Sequence, residues 1–501
     1  MEVIAAVAAG AIASACQNAV LSSWLVSICP QRDYVKELGD RLSRHAHIYT
    51  PGSDDFKTAT TRWSVAHAPE VKLVVVPSIE NDVAETVKYA NELGMPYLAL
   101  NGGHGAIKTV EKMKGGIEIW MHQLNGVEIS EDGARAKIGG GAKTKTVIDA
   151  LWAAGKQTVT GLCECTSILG PGLGGGHGIL EGHYGLISDQ FVSMNIVLAD
   201  GILRTIDESS EMWWAMQGAG HNFGIVTSVT LKTYDIIYRD WAYESFIFTG
   251  DKVESLYDNI NNHLLKDGSQ PVEIMHYSFF FNNPEVDPTN PLIMFFILQE
   301  GNMVVDPTYT TPFHELGPIS TDGEGGSFLD LATWTGNDNN SPPCQKAGLV
   351  NYRFPINIES YSVPAQRQVY DLFASATKET PALNGSFFLF EGYATQGVKA
   401  IPSESTAYPF RSDNLLIAPV INYAGGDAEI DKKAVELGEN LRRILHEATG
   451  REEMHTYVNY AYGEETKQNM YGYEQWRQDK LLELKNKYDP QRKFSFYAPI
   501  A

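Results

Sequence analysis

Short apolar runs alternate with stretches of helical spacing through the first half of the chain. Leu73-Val74-Val75-Val76 predicts a buried strand, and Val83, Val87, Ala90 and Leu93 make one apolar face of a following helix. Ser78 is placed to cap that helix, Glu80 and Asp82 fall in its electropositive first turn, and Gly94 and Pro96 end it. A second strand, Tyr97-Leu98-Ala99-Leu100, runs straight into Asn101-Gly102-Gly103-His104-Gly105. This histidine loop sits at the carboxyl end of a strand, where open α/β sheets bind ligands. Upstream, Val35, Leu38 and Leu42 predict a helix over residues 32–45, broken by Pro51-Gly52-Ser53-Asp54-Asp55.

Downstream, Glu131-Asp132-Gly133 and Ala199-Asp200-Gly201 are turns between runs of strand character, predicting hairpins over 126–138 and 191–206. Gly139-Gly140-Gly141 and a helix over 146–154 lead to a strand at 157–160. That strand feeds a second loop, Gly161-Leu162-Cys163-Glu164-Cys165, whose glycine-rich continuation ends Leu173-Gly174-Gly175-Gly176-His177-Gly178. A helical turn at 211–215 and an alternating strand at 225–232 complete this region. From Trp241 glycine thins and aromatics rise, which predicts a domain boundary. Helices near 252–265, 365–378 and 431–448 interleave with strands near 274–281, 292–298, 387–391 and 415–423. This pattern suggests one sheet covered by helices on one side. Tyr277, Phe279 and Phe281 share a strand face, as pocket lining or as core.

A chain of 501 residues exceeds a single hydrophobic core and implies two or three domains. Its 43% apolar and 20% charged content is that of a globular protein. With 39 Lys and Arg against 61 Asp and Glu, the net charge of −22 argues against nucleic acid or anionic membrane as partner. Small or neutral molecules fit better. Residues 1–30 carry no charge after Glu2, and an apolar core before Ala13-Ser14-Ala15 resembles a secretory signal without its basic start. Secretion is the expectation, with an intracellular N-terminal helix as the alternative and a membrane anchor third, because Gln17, Asn18, Ser22 and Ser23 interrupt the run; Asn339-Asn340-Ser341 and Asn384-Gly385-Ser386 are glycan acceptor patterns that lean toward secretion. The five cysteines form no C-x-x-C pair, and their odd number leaves four if a cofactor consumes one.

Three motif readings fail on context. Gly170-Pro171-Gly172-Leu173-Gly174-Gly175 fits G-x-G-x-x-G, but no strand leads directly into it and Pro171 is ill-suited to the turn. Gly139 to Thr144 lacks a phosphate-loop glycine at Ala142. His177, Glu181 and His183 share no helical face that would make a metal site, and no metal is expected.

Asn-Gly-Gly-His after a strand, Gly-x-Cys, and the run from Gly161 to Gly178 together resemble the berberine bridge enzyme-like FAD-linked oxidases of the vanillyl-alcohol oxidase, or PCMH-type, flavoprotein superfamily. Tyr184-Gly185-Leu186, Met212-Trp213-Trp214-Ala215, Tyr408-Pro409-Phe410-Arg411, Tyr457-Val458-Asn459-Tyr460 and Lys487-Tyr488-Asp489-Pro490 extend the likeness to the C-terminus. The resemblance implies an α+β, two-domain PCMH-type fold with an antiparallel-sheet cap covered by helices. Residues 1–30 would be a signal or extension, 31–240 the FAD-binding domain, 241–450 the cap, and 451–501 a segment returning to the FAD domain. It further implies FAD held twice, His104 to the 8α-methyl carbon and Cys163 to C6, with Cys165 out of register. Asn101, Gly102, Gly103, Gly105, Ser167, Gly174, Gly175, His177, Gly178, Val226 and Asn459 would surround the cofactor. Tyr457 would be the base, with Glu391 in reserve.

The function so implied is hydride transfer from a carbohydrate or secondary metabolite to flavin N5, with O2 reoxidising the flavin to give H2O2. The partners would be a small-molecule substrate and O2, in a monomer without a stable membrane partner. Two alternatives remain open: a non-redox isomerase or cyclase using the flavin as scaffold, with proton transfer by a residue such as Glu391, and a non-catalytic flavin-binding protein.

Overall fold

The computed structural model describes residues 33–268 and 270–501, so the apolar N-terminal run and its proposed signal lie outside the described residues. A four-stranded sheet runs in the order His47–Tyr49, Val71–Val76, Gly116–Trp120, Tyr97–Leu100. The last three strands are parallel. Helix Glu80–Leu93 supplies the crossover, and its Val83, Val87 and Ala90 pack on Leu73, Val75, Ile117 and Ile119. Ser78 does not cap it. The Asp82 carboxylate instead accepts the Ser78 and Ile79 backbone N–H groups at 2.9 and 3.0 Å, which satisfies two donors at the helix start. Gly94 ends the helix in the left-handed conformation, φ 64°.

A second, antiparallel sheet is ordered Val127–Ile129, Arg135–Gly139, Ile225–Lys232, Phe191–Val197, Leu203–Asp207. Helix Gln475–Tyr488 returns from the C-terminus to its core, where Leu481 and Leu484 join Ile138 and Val229. Beneath it the buried Lys485 ammonium donates to Asp489 and to the carbonyls of Asn222 and Phe494, which fixes the path of the last residues.

The third sheet has eight antiparallel strands. Its main path is Ser320–Ser327, Asp240–Phe248, Leu292–Glu300, Ile274–Phe281, Phe387–Gly392, Leu415–Ala424, Leu349–Arg353, with Ile356–Ile358 also on Leu415–Ala424. The two-residue period of a strand divides its faces. Phe280, Phe388, Phe390, Ile417 and Ile421 turn outward under helices Val253–Asn259, Val363–Glu379 and Ala428–Thr449, in one apolar core. The other face looks toward the histidine and cysteine loops.

Several elements differ from expectation. The strand at 157–160 is only Lys156–Gln157, the helix at 32–45 is Tyr34–Gly39, and that at 252–265 divides into Val253–Asn259 and a π-turn, Ile260–Leu264. Strands Asp240–Phe248, Ser320–Ser327 and Leu349–Arg353 were not anticipated. Gly170 to Gly174 belongs to the short helix Leu169–Leu173 and its cap, consistent with setting the dinucleotide pattern aside. Among the described residues no helix is long and apolar enough to cross a membrane.

Candidate active site

The two glycine loops meet. A Cβ on Gly102 would lie 2.9 Å from the Cys165 carbonyl oxygen, so the missing side chain lets the histidine loop rest on the cysteine loop. Gly103 then takes φ 73° and turns the chain into His104. The result is that the His104, Cys163 and Cys165 ligand atoms all lie within 4.8 Å of one another. Cys165 is bonded to Cys344, while Cys163 is free. That pairing withdraws one sulfur from the trio and leaves one imidazole and one thiol as available nucleophiles, an unsuitable set for a closed metal site.

Burial, with Arg353, Lys346 and Lys143 nearby, drives the His104 pKa down to about 3, so the imidazole is neutral and nucleophilic. Burial pushes the Cys163 thiol up. The Cys163 sulfur lies 3.5 Å from that of Cys165 and 3.7 Å from that of Cys344.

Both side chains line a cavity of about 910 Å³. One wall is loop backbone: Leu98 to Gly105, Gly161 to Cys163, Thr166, Ser167, Gly140 and Val226. The opposite wall is the inner face of the eight-stranded sheet, which presents alternate residues: Met275, Tyr277 and Phe279; Phe387, Leu389 and Glu391; Ala418, Val420 and Asn422; Leu349, Asn351 and Arg353. Tyr277 and Phe279 thus face the cavity, whereas Phe281 is not among its lining residues. Tyr457, Asn459, Tyr460, Phe494, Phe496 and Tyr497 close one side.

A long, polar-ended cofactor suits this space. Asn101 donates from its amide nitrogen to the Gly140 and Ala142 carbonyls, and its buried Oδ1 has no partner within the protein. A buried acceptor without a partner, on a residue that lines the cavity, is a place where a ligand donor would fit.

Tyr457 and Glu391 meet at the same cavity. The Tyr457 hydroxyl oxygen accepts the Asn459 amide at 2.7 Å and the His177 backbone N–H at 3.3 Å. Burial raises its pKa, and these two donors oppose that rise by favouring the phenolate. Glu391 stands opposite Tyr277 in the sheet register. It accepts the Tyr393 hydroxyl at 2.9 Å through Oε1, while Oε2 is buried, with the Tyr460 hydroxyl close enough to favour the charged form. Burial lifts its carboxyl above the ordinary range, against the pull of Tyr393, His177 and Arg353.

Not every expected cofactor neighbour reaches the cavity. Gly174, Gly175 and Gly178 are not among its lining residues. A Cβ at each would strike Asn459, the Tyr408 ring and the Thr160 carbonyl, so their glycines serve close packing of protein on protein. His177 reaches the cavity, yet its N–H supports Tyr457 and its ring bridges Glu181 and Tyr408. His183 pairs separately with Glu300 at 2.7 Å. Sequence reasoning missed Arg353, Trp63, Tyr393 and Tyr460. Only the inward phase of the strand carrying Arg353 could have revealed that residue, and that strand was itself unrecognised.

Residues 71–207 match the FAD binding domain family. The chain is 54% identical to the FAD-linked oxidoreductase chyH of Penicillium rubens over 100% of both proteins. It is 50% identical to the FAD-linked oxidoreductase chry5 of Gibberella zeae, covering 94% of this chain and 95% of that one. The solved structure of Physcomitrella patens BBE-like 1 superposes with a TM-score of 0.77 at 20% identity, across 93% of this chain and 99% of that one. The FAD-binding match and the full-length likeness agree, and the superposition shows the fold of the BBE-like protein: the chain belongs to the FAD-linked oxidoreductases.

Proposed function

We propose that the protein is an oxidase whose FAD is attached at two points, His104 and Cys163. The observation that carries this reading is the pair itself: a neutral imidazole and the one unpaired thiol among the described residues, close together at a cavity wall. The neutral imidazole is a good nucleophile toward an electron-poor ring, and Cys163 becomes one as the thiolate, which burial disfavours and Arg353 with the Cys165 and Thr166 N–H groups favour. Bound flavin would supply a hydride acceptor at N5 and pass the two electrons to O2, giving H2O2.

The chain's own task is to orient the substrate and take its proton. The cap sheet lays Tyr277, Phe279, Phe387 and Leu389 over the cavity, apolar surface suited to a flat or hydrophobic secondary metabolite, and Asn422, whose amide nitrogen already donates to Asn351, offers its Oδ1 as an acceptor. Tyr457 takes the substrate O–H or N–H proton as the C–H bond breaks; the step needs its phenolate, which burial disfavours and the Asn459 amide and the His177 N–H favour, so turnover should rise with pH. Glu391, beside it on the cap, is the second acid–base group. The Cys165–Cys344 disulfide further supports folding in an oxidising compartment and hence secretion.

Acid precipitation tests the attachment. Flavin should stay with the pellet in the wild type and in His104→Ala or Cys163→Ala alone, and leave it in the double variant. Release from the wild type would overturn covalent linkage.

A further inference from the structure

Two arginines line the cavity, Arg62 and Arg353, and they differ in one respect. Arg62 is paired with the buried carboxylate of Glu118. Arg353 lies over the Trp63 ring at 4.2 Å and over the Tyr460 ring at 4.5 Å, and among the described residues its side chain makes neither a hydrogen bond nor an ion pair. Its nitrogens are not among the buried polar atoms that lack partners, so they open onto the cavity.

Aromatic rings hold a guanidinium by its face and leave the in-plane N–H donors free. Those donors form a rigid fork that matches the two oxygens of a carboxylate. Arg353 projects from the cap sheet, where it pairs in register with Val420, which pairs in turn with Phe387. Val420, Phe387, Leu389 and Phe279 make the neighbouring surface apolar.

We propose that Arg353 is the substrate anchor, and that it selects a planar substrate bearing a carboxylate or an equivalent resonance-stabilised anion, whose hydrocarbon part lies against Phe279 and Phe387. This rests on the reading of the cavity as flavin site plus substrate site. Arg353 would be a binding residue on the cap side, separate from Tyr457, which handles the proton.

Benzoate and benzamide, equal in shape and different in charge, are the probes. Each is titrated into holoenzyme while flavin absorbance is followed, with calorimetry in parallel. Benzoate should bind about tenfold more tightly than benzamide, a preference reduced in Arg353→Lys and gone in Arg353→Met. Equal binding of the two probes, or a preference that survives in Arg353→Met, would overturn the proposal. So would loss of acid-stable flavin in Arg353→Met with an unchanged melting temperature, because Arg353 would then serve the cofactor. If the wild type itself releases flavin on acid treatment, the attachment reading fails, while the calorimetric comparison still decides the role of Arg353.

Discussion

The two walls of the cavity are built in opposite ways. On the loop side, shape comes from backbone resting on backbone: Gly139, Gly140 and Gly141 each bring the chain against main-chain carbonyls, and Gly102 seats one loop on the other. On the cap side, shape comes from side chains at every second position of a sheet whose reverse face is solid core. A loop wall of this kind has little room to change without losing the site. A sheet face can exchange single side chains with the fold intact, and so suits the choice of substrate.

The contrast can be broken most severely at Gly141. A Cβ there would lie 1.9 Å from the Met121 carbonyl oxygen. Gly141→Val should cost about 3 kcal/mol or more, read as loss of soluble yellow protein or a large fall in Tm. A substitution tolerated without change in Tm would refute the backbone-on-backbone account. Next in size, Tyr457→Phe should lower kcat by roughly 10²–10⁴-fold with covalent flavin and Tm retained, and stopped-flow flavin reduction checks it; a full rate would remove Tyr457 as base.

Neighbouring phenylalanines sharpen the cap side of the comparison. Phe280 is wholly buried under the helices, and Phe279, next in sequence, faces the cavity. Phe280→Ala should cost about 3–5 kcal/mol in denaturant unfolding and leave KM unchanged. Phe279→Ala should do the reverse, shifting KM with little change in stability. Equal effects would mean that the sheet's two faces are not divided as described.

The smallest effect concerns pH. The folded pKa of Glu391 is raised, so its stabilising contribution is full below its ordinary value of 4.5 and is lost as pH rises through the folded value. The Tm of Glu391→Gln should therefore gain on the wild type as pH rises, and a constant difference would show that Glu391 has the same pKa in the folded and unfolded protein.

The same contrast governs what could be read from the sequence. The histidine and cysteine loops were legible because glycine beside a reactive side chain leaves a local pattern, and helices such as Glu80–Leu93 and Ala428–Thr449 declare themselves by period and end residues. Strand Ser320–Ser327 was not legible. It is an exposed edge of Ser-Thr-Asp-Gly-Glu-Gly-Gly-Ser, without alternation, and only its partner Asp240–Phe248 makes it a strand. Arg353 was silent for a related reason: its meaning depends on Trp63 and Tyr460, both distant in sequence. Gly174, Gly175 and Gly178 do not line the cavity, and glycine is required equally where protein approaches protein, so the pattern alone does not separate the two roles.

The Cys165–Cys344 bond has a topological consequence. It joins residues 179 positions apart and closes four of the eight cap-sheet strands, together with three of the five strands of the second sheet, into one covalent ring. A single backbone cut anywhere inside that ring opens it without dividing the molecule. Nicked protein would keep its full mass on a non-reducing gel and separate into two pieces only once a reductant was added, so the loop carrying the free thiol and the loop carrying Cys344 stay tethered even when the chain between them is severed.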